Sequence, residues 1–319
     1  MDARLGKRKR SIGRVNFRAT MERCLLLIDS PRSGPYNMAA DEWCAVWAAG
    51  HKTPILRLYR WHPATLSLGY FQRYEDRKSH PASQSCPVVR RPSGGGAILH
   101  DREWTYALCL PADHPLAKDR LSLYLTVHET LGRWLQRWGV TAVVLRRENP
   151  PARCGQAPSR PCPFLCFQRR AVGDVVAVVD DETFSSCQSS GNQPTETNGS
   201  PRTTQLSPSC AESTVKLVGS AQRRTRNAVL QHGSILLGRS PWAPELPGVW
   251  EVTGHKDPID HDSELFRDFA VAWPPLLAQA LRWRLQHFPY SMERDSLFEE
   301  LLARFSSQEW TCKSQSAMG

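Results

Sequence analysis

The run KLVGSAQRR at residues 216–224, continued by VLQHGSILL at 229–237, decides how the chain is read. Its head, 215–218, has the character of a strand, and so does the apolar run DVVAVV at 174–179. Lys216 sits among Val215, Leu217 and Val218, a setting that a lysine enters when it faces a ligand or an anion. The plain alternative is an edge-strand lysine turned to water. Gly219 and Ser220 beside it allow another group to approach closely.

Working outward, RRPSGGGAILHD (90–101) places three glycines between two apolar strands. Glycine weakens a strand interior, so such a triple marks either a flexible turn or a close backbone approach. Exposed N–H groups there can receive a carbonyl or phosphate oxygen, with Arg90 and Arg91 supplying positive charge. Cys166, in PFLCFQRR (163–170), precedes paired arginines; it reads either as a nucleophile or as a buried small hydrophobe.

Around these segments the pattern alternates between strands and helices. Strands are expected at 24–29, 54–61, 64–71 and 103–110, with strand, glycine loop and strand over 86–101. A helix is expected over 37–48, burying Met38, Trp43, Val46 and Trp47. A second, 121–138, has Leu121, Tyr124, Leu125, His128, Leu131, Leu135 and Trp138 three or four apart. Two more helices are expected at 263–287 and 293–305, the first interrupted or kinked at Trp273-Pro274-Pro275.

Composition bounds the class. The chain has 319 residues, 40% apolar and 23% charged, which suits a soluble α/β or α+β protein with a packed core. No run reaches the apolar length of a membrane helix, and the basic N-terminus leads into no secretory segment, so a cytoplasmic protein with reduced thiols is expected. The ten cysteines form no zinc-type pairing, and no metal site is expected. Of the net charge of +10, residues 1–20 carry +6, so nucleic-acid binding loses most of its compositional support. That basic stretch reads as a disordered extension, or as upstream of a true start at Met21. Residues 180–214 hold eight Ser and six Thr in 35 positions and only Phe184 and Leu206 as large apolar residues. Such a segment cannot offset its ordering entropy by burial and reads as a disordered insert at a hairpin tip.

Taken in order, YRWHPATLSLGYFQ (59–72), RRPSGGGAILHD followed by TYAL (90–108), PFLCF (163–167) and the 216–237 run resemble the lipoate–protein ligase A family. Within it the chain is most similar to the cysteine-dependent octanoyltransferase branch, and CLLLIDSPRSGPYNMAADEW (24–43) resembles that family's opening helix. The resemblance implies an α+β fold in a single domain over 21–310: a mixed, largely antiparallel sheet flanked by helices, similar to biotin protein ligase and class II aminoacyl-tRNA synthetase cores. Residues 311–319 are left as a tail.

It also implies chemistry. Cys166 corresponds to the acyl-accepting cysteine and Lys216 to the active-site lysine of the family. Arg91, Ser93, Gly94, Gly95, Gly96, His100, Gly219, Ser220 and His232 fall in its substrate-binding segments. An octanoyl or lipoyl group would pass from octanoyl-acyl carrier protein, without a cofactor, to a lysine of a lipoyl domain of 2-oxoacid dehydrogenases or of glycine cleavage H protein. Backbone N–H groups around Gly94–Gly96 and Gly219 would help hold the oxyanion, and an apolar slot lined from Leu66–Phe71 would hold the acyl chain. One position departs from the branch: Gly96 stands where it usually carries arginine, and SGGGA reads as in ATP-dependent ligases. The alternatives are therefore a lipoate–protein ligase working through lipoyl-AMP with ATP and Mg, and a non-catalytic acyl- or lipoyl-domain-binding protein.

Overall fold

The computed structural model describes residues 21–146, 163–180 and 214–313. In chain order the elements are β1 (Glu22–Ile28), α1 (Gly34–His51), β2 (Ile55–Tyr59), β3 (Thr65–Leu68), β4 (Val88–Arg90), β5 (Ile98–His100), β6 (Glu103–Pro111), α2 (Arg120–Arg137), β7 (Ala142–Val144), β8 (Val175–Val178), β9 (Thr214–Arg224), β10 (Ala228–Leu236), α3 (Glu264–Leu281), β11 (Trp283–His287) and α4 (Ser296–Ser306). Short 3₁₀ or α turns fill several connections.

Eight strands form one mixed sheet in the order β11-β1-β2-β6-β10-β9-β8-β7. Only β1 pairs in parallel, with β11 and β2; the remaining pairs are antiparallel. The physical cause is alternation with both faces covered. In β6, Trp104, Tyr106, Leu108 and Leu110 pack with α2 and α3, whereas Ala107 and Cys109 pack with α1 and α4. A small sheet, β4-β3-β5, with its own apolar cluster, stands beside this sandwich and carries the glycine loop.

Deep in the α1 side, Arg57 bonds Asp41 Oδ1 at 2.8 Å and Asp29 Oδ2 at 2.8 Å. Burial works against its charge, but the two carboxylates outweigh that and hold the guanidinium pKa above its ordinary value. Tyr59 also donates to Asp41, at 2.7 Å. Asp41 is thereby fixed at the foot of the site described below.

Several sequence expectations are corrected. The helix expected over 263–287 ends at Leu281, where Arg282 turns left-handed (φ 58°) and bonds back to the Ala278 carbonyl; WRLQH then forms the edge strand β11. Pro274 and Pro275 lie inside α3 and do not break it, because Phe269, Trp273 and Leu277 anchor the same face in the core. In α2 the buried stripe is Leu123, Val127, Leu131, Trp134 and Leu135, while Leu121 is exposed. Val46 of α1 is likewise exposed. The strand expected at 64–71 stops at Leu68, since Arg90 binds the Gly69, Tyr70 and Gln72 carbonyls and turns the chain. Strands β8 and β9 pair in antiparallel fashion, as a hairpin would. The basic extension at 1–20 and nearly all of the 180–214 insert lie outside the described residues.

Candidate active site

The glycine loop and the cysteine segment are stitched together by backbone. Cys166 N–H donates to the Ala97 carbonyl at 2.7 Å, and Ala97 N–H donates to Phe164 at 3.2 Å. Gly96 makes this possible, because a Cβ there would sit 3.2 Å from Cys166 Cα and N. A side chain at 96 would need the cysteine segment to give by a few tenths of an ångström. Gly95 takes φ +96°, a region that favours glycine, and its carbonyl lies where a Cβ on Gly69 would be.

Arg91 holds the loop from inside. Its guanidinium donates to the Gly96 carbonyl at 2.8 Å, the Gly94 carbonyl at 3.2 Å, and the Ser67 hydroxyl and carbonyl at 2.6 and 2.9 Å. Burial pushes its pKa down to about 10. Arg90 is spent on carbonyls, including that of Thr311 at 2.8 Å. The pair expected to supply positive charge to a ligand thus works largely as backbone staples.

Lys216 lies on β9, an inner strand between β10 and β8, and not on an edge. Its Nζ is 3.9 Å from Cys166 Sγ and 2.8 Å from Asp174 Oδ2, with side-chain exposures of 4% and 2% for the ion pair. Asp174 Oδ2 also accepts from Ala171 N–H at 2.7 Å, and Tyr124 donates to Oδ1 at 3.3 Å. The ammonium is therefore tethered on one side and offered to the sulfur on the other.

Gly219 clears the space in which that ammonium lies. A Cβ there would be 2.7 Å from Lys216 Cε and 3.0 Å from Nζ. Gly219→Ala is expected to push the lysine aside without unfolding the sheet, since the far end of a flexible side chain yields first. Loss of about 10²-fold in turnover with a melting temperature close to wild type is the expected result, read by a steady-state assay and thermal melting.

Cys166, Arg91, Gly94, Gly95, His100, Gly219, Ser220 and His232 all line one cavity. Met38, Tyr59, Trp61 and Ile98 give it apolar walls. Ser93 and Gly96 lie behind it: Ser93 Oγ is 2.5 Å from His232 Nε2, and Gly96 backs Cys166. None of Leu66–Phe71 is among the residues that line this cavity; Leu66 and Leu68 are buried in the small sheet's own cluster, and Phe71 is 61% exposed.

Three buried histidines surround the cavity. His100 stacks on Trp61 at 3.8 Å and lies between Glu103 (2.5 Å) and Ser67 (2.6 Å). Burial lowers its pKa, and the Arg91 charge adds to that against the pull of Glu103. His128 bridges the Gly173 carbonyl and Ser220 Oγ at 2.6 Å each, and burial pushes its pKa down to about 3. Ser220 Oγ also meets Tyr106 Oη at 2.7 Å, so its hydroxyl is committed to the protein. His232 Nδ1 is 3.0 Å from Asp41 Oδ2. Asp174, Asp41, His128 and Trp61 were missed in the sequence. Asp174 had one local signal, an acid at the head of an apolar strand.

Cys166, beside Lys216, thus lines an apolar cavity against a mixed sheet. The sequence pattern described as the lipoyl protein ligase A/B catalytic domain matches residues 33–156. Octanoyltransferase LipM of Kyrpidia tusciae is 31% identical over 311 residues, covering 91% of this chain and 98% of that protein. Octanoyltransferase LipM of Exiguobacterium sp. is 33% identical, covering 90% and 97%. The chain belongs to this octanoyltransferase family of acyltransferases. In fold it is similar to the bipartite lipoate protein ligase of Thermoplasma acidophilum, with a TM-score of 0.57 at 19% identity over 92% of this chain and 96% of that one. Among the described residues no helix is long and apolar enough to cross a membrane.

Proposed function

We propose that this protein carries an octanoyl group from an acyl-carrier-protein thioester to one lysine of a lipoyl domain, through a thioester on Cys166. The observation that carries the reading is the 3.9 Å approach of Lys216 Nζ to Cys166 Sγ, where Cys166 lines the cavity. An ammonium at that distance stabilises the thiolate and faces the carbonyl oxygen of an acyl group delivered to the sulfur.

The thiolate attacks the donor carbonyl; the carrier's C–S bond breaks, and its sulfur leaves with a proton from solvent. The acceptor amine then attacks the acyl-Cys166 carbonyl; a C–N bond forms, the C–S bond breaks to release the cysteine thiolate, and the proton shed by the nitrogen passes to solvent. Exchange of one thioester for another is nearly isoenergetic and amide formation is downhill, so the route calls for no ATP. The apolar walls from Met38, Tyr59, Trp61 and Ile98 suit a medium-length acyl chain. Acceptors would be lipoyl domains of 2-oxoacid dehydrogenases or glycine cleavage H protein; the archaeal ligase of similar fold is described with its E2 lipoyl domain.

Incubation with octanoyl-acyl carrier protein should add one octanoyl mass to the peptide containing Cys166, removable by hydroxylamine. Absence of that adduct, together with lipoate-dependent pyrophosphate exchange from ATP, would replace this reading with the ligase alternative. The SGGGA loop is the feature that favours that alternative.

A further inference from the structure

The cavity beside Cys166 has a direction. Strand register sets Gly219 beside Ser234, Ser234 beside Thr105 and Thr105 beside Tyr59, and this row of the sheet lines the cavity from β9 across to β2. Neighbouring strands lie about 4.8 Å apart, so the three spacings from β9 to β2 cover about 14 Å, a span suited to a medium-length acyl chain. Cys166 stands at the β9 end, against Lys216. Tyr59 on β2 and Trp61 just beyond it close the other end.

These two aromatic residues are backed differently. The Tyr59 hydroxyl donates to Asp41 at 2.7 Å, and its ring centroid is 3.9 Å from the Arg57 guanidinium carbon. Behind it lies the packed core between the sheet and α1, so a chain has nowhere to extend there. Trp61 has a surface recess behind it. The same residue that lines the cavity also lines this recess, together with Pro31, Arg60, His62, His261 and Asp262, all but Arg60 exposed.

The Trp61 indole is also held in place. Its Nε1 donates to Thr105 Oγ1 at 2.8 Å, and its ring stacks on His100 with centroids 3.8 Å apart and planes 10° from parallel. A chain that reaches the ring cannot turn it aside without breaking both contacts, and forcing extra methylenes into a packed site is costly.

We propose that Trp61 sets the length of the acyl chain the protein transfers, by standing as the end wall between the cavity and the surface recess. Medium-length chains end against the indole, and longer ones are refused by it. The inference rests on the acyl-Cys166 reading above and adds to it the residue that limits the donor.

The test offers the protein an equimolar mixture of octanoyl-, decanoyl-, dodecanoyl- and tetradecanoyl-acyl carrier protein, and reads by mass which chain appears on the Cys166 peptide. The wild type should load octanoyl and exclude the two longest chains. Trp61→Ala should join the cavity to the recess and raise the ratio of dodecanoyl to octanoyl loading about 10²-fold, because a single methylene admitted or refused by an apolar pocket is worth about 10- to 200-fold. Tetradecanoyl should enter as well, since the wall is gone and not merely thinned. An unchanged ratio would overturn the proposal. Equal losses for all four chains would make Trp61 a support of the fold, and a gain confined to decanoyl would make it a side wall; either result also overturns it. Should Trp61→Ala fail to fold, Trp61→Phe keeps an aromatic ring against His100 and should shift the ratio the same way by less, and no shift there would overturn the proposal. If no donor loads the wild-type cysteine, the acyl-cysteine reading falls and this inference with it, a result distinct from any change in ratio.

Discussion

Replacing Cys166 by serine is expected to lower octanoyl transfer by at least about 10³-fold and to abolish the hydroxylamine-labile adduct. The reason is the leaving group as well as the nucleophile. A serine hydroxyl beside an ammonium has no base to take its proton, and an ester formed there would be a poorer acyl donor than a thioester. The fold should be untouched. The hydrogen-bond partner of Sγ is Lys216 Nζ, and the backbone bonds that place residue 166 do not involve the side chain. Cys166 is only partly buried, so the change should cost about 1 kcal/mol or less in stability. Retained transfer in Cys166→Ser would remove the cysteine from the mechanism. Transfer that then depends on ATP and free lipoate would instead mark the protein as a ligase.

The pieces of this site were visible in the sequence as three separated segments, and their meeting was not. Cys166 and Lys216 stood out because each interrupts an apolar run with a chemically active side chain. Asp174, which ties the lysine down, opens the strand-like run DVVAVV, and nothing local says that the head of β8 is buried. Burial on both faces also removed the usual guide to which residues face the cavity. Every residue of β3 and the whole first half of β9 are buried, so period-two alternation does not separate core from pocket. The end of α3 is a similar case. LRWRLQH continues a helical pattern well enough, and only the free edge of β1 makes residues 283–287 a strand.

The pairing of Lys216 with Asp174 leads to an outcome that separates stability from catalysis. Both side chains are almost wholly removed from water, so each single change leaves an uncompensated buried charge. Lys216→Met should destabilise the protein by about 3–5 kcal/mol, and Asp174→Asn by a comparable amount, read by denaturant unfolding. The double variant should regain most of that loss, because no charge is left unpaired; the coupling between the sites should exceed about 1 kcal/mol. Activity should behave otherwise. Acylation of Cys166 should fall about 10²-fold or more in Lys216→Met and should not recover in the double variant, since the sulfur still lacks its ammonium. In Asp174→Asn the lysine stays beside the sulfur but loses its tether, so acylation should suffer less than in Lys216→Met. Strictly additive stability losses would show that the two groups are not coupled, and the argument that Lys216 is held as an ammonium would go with them.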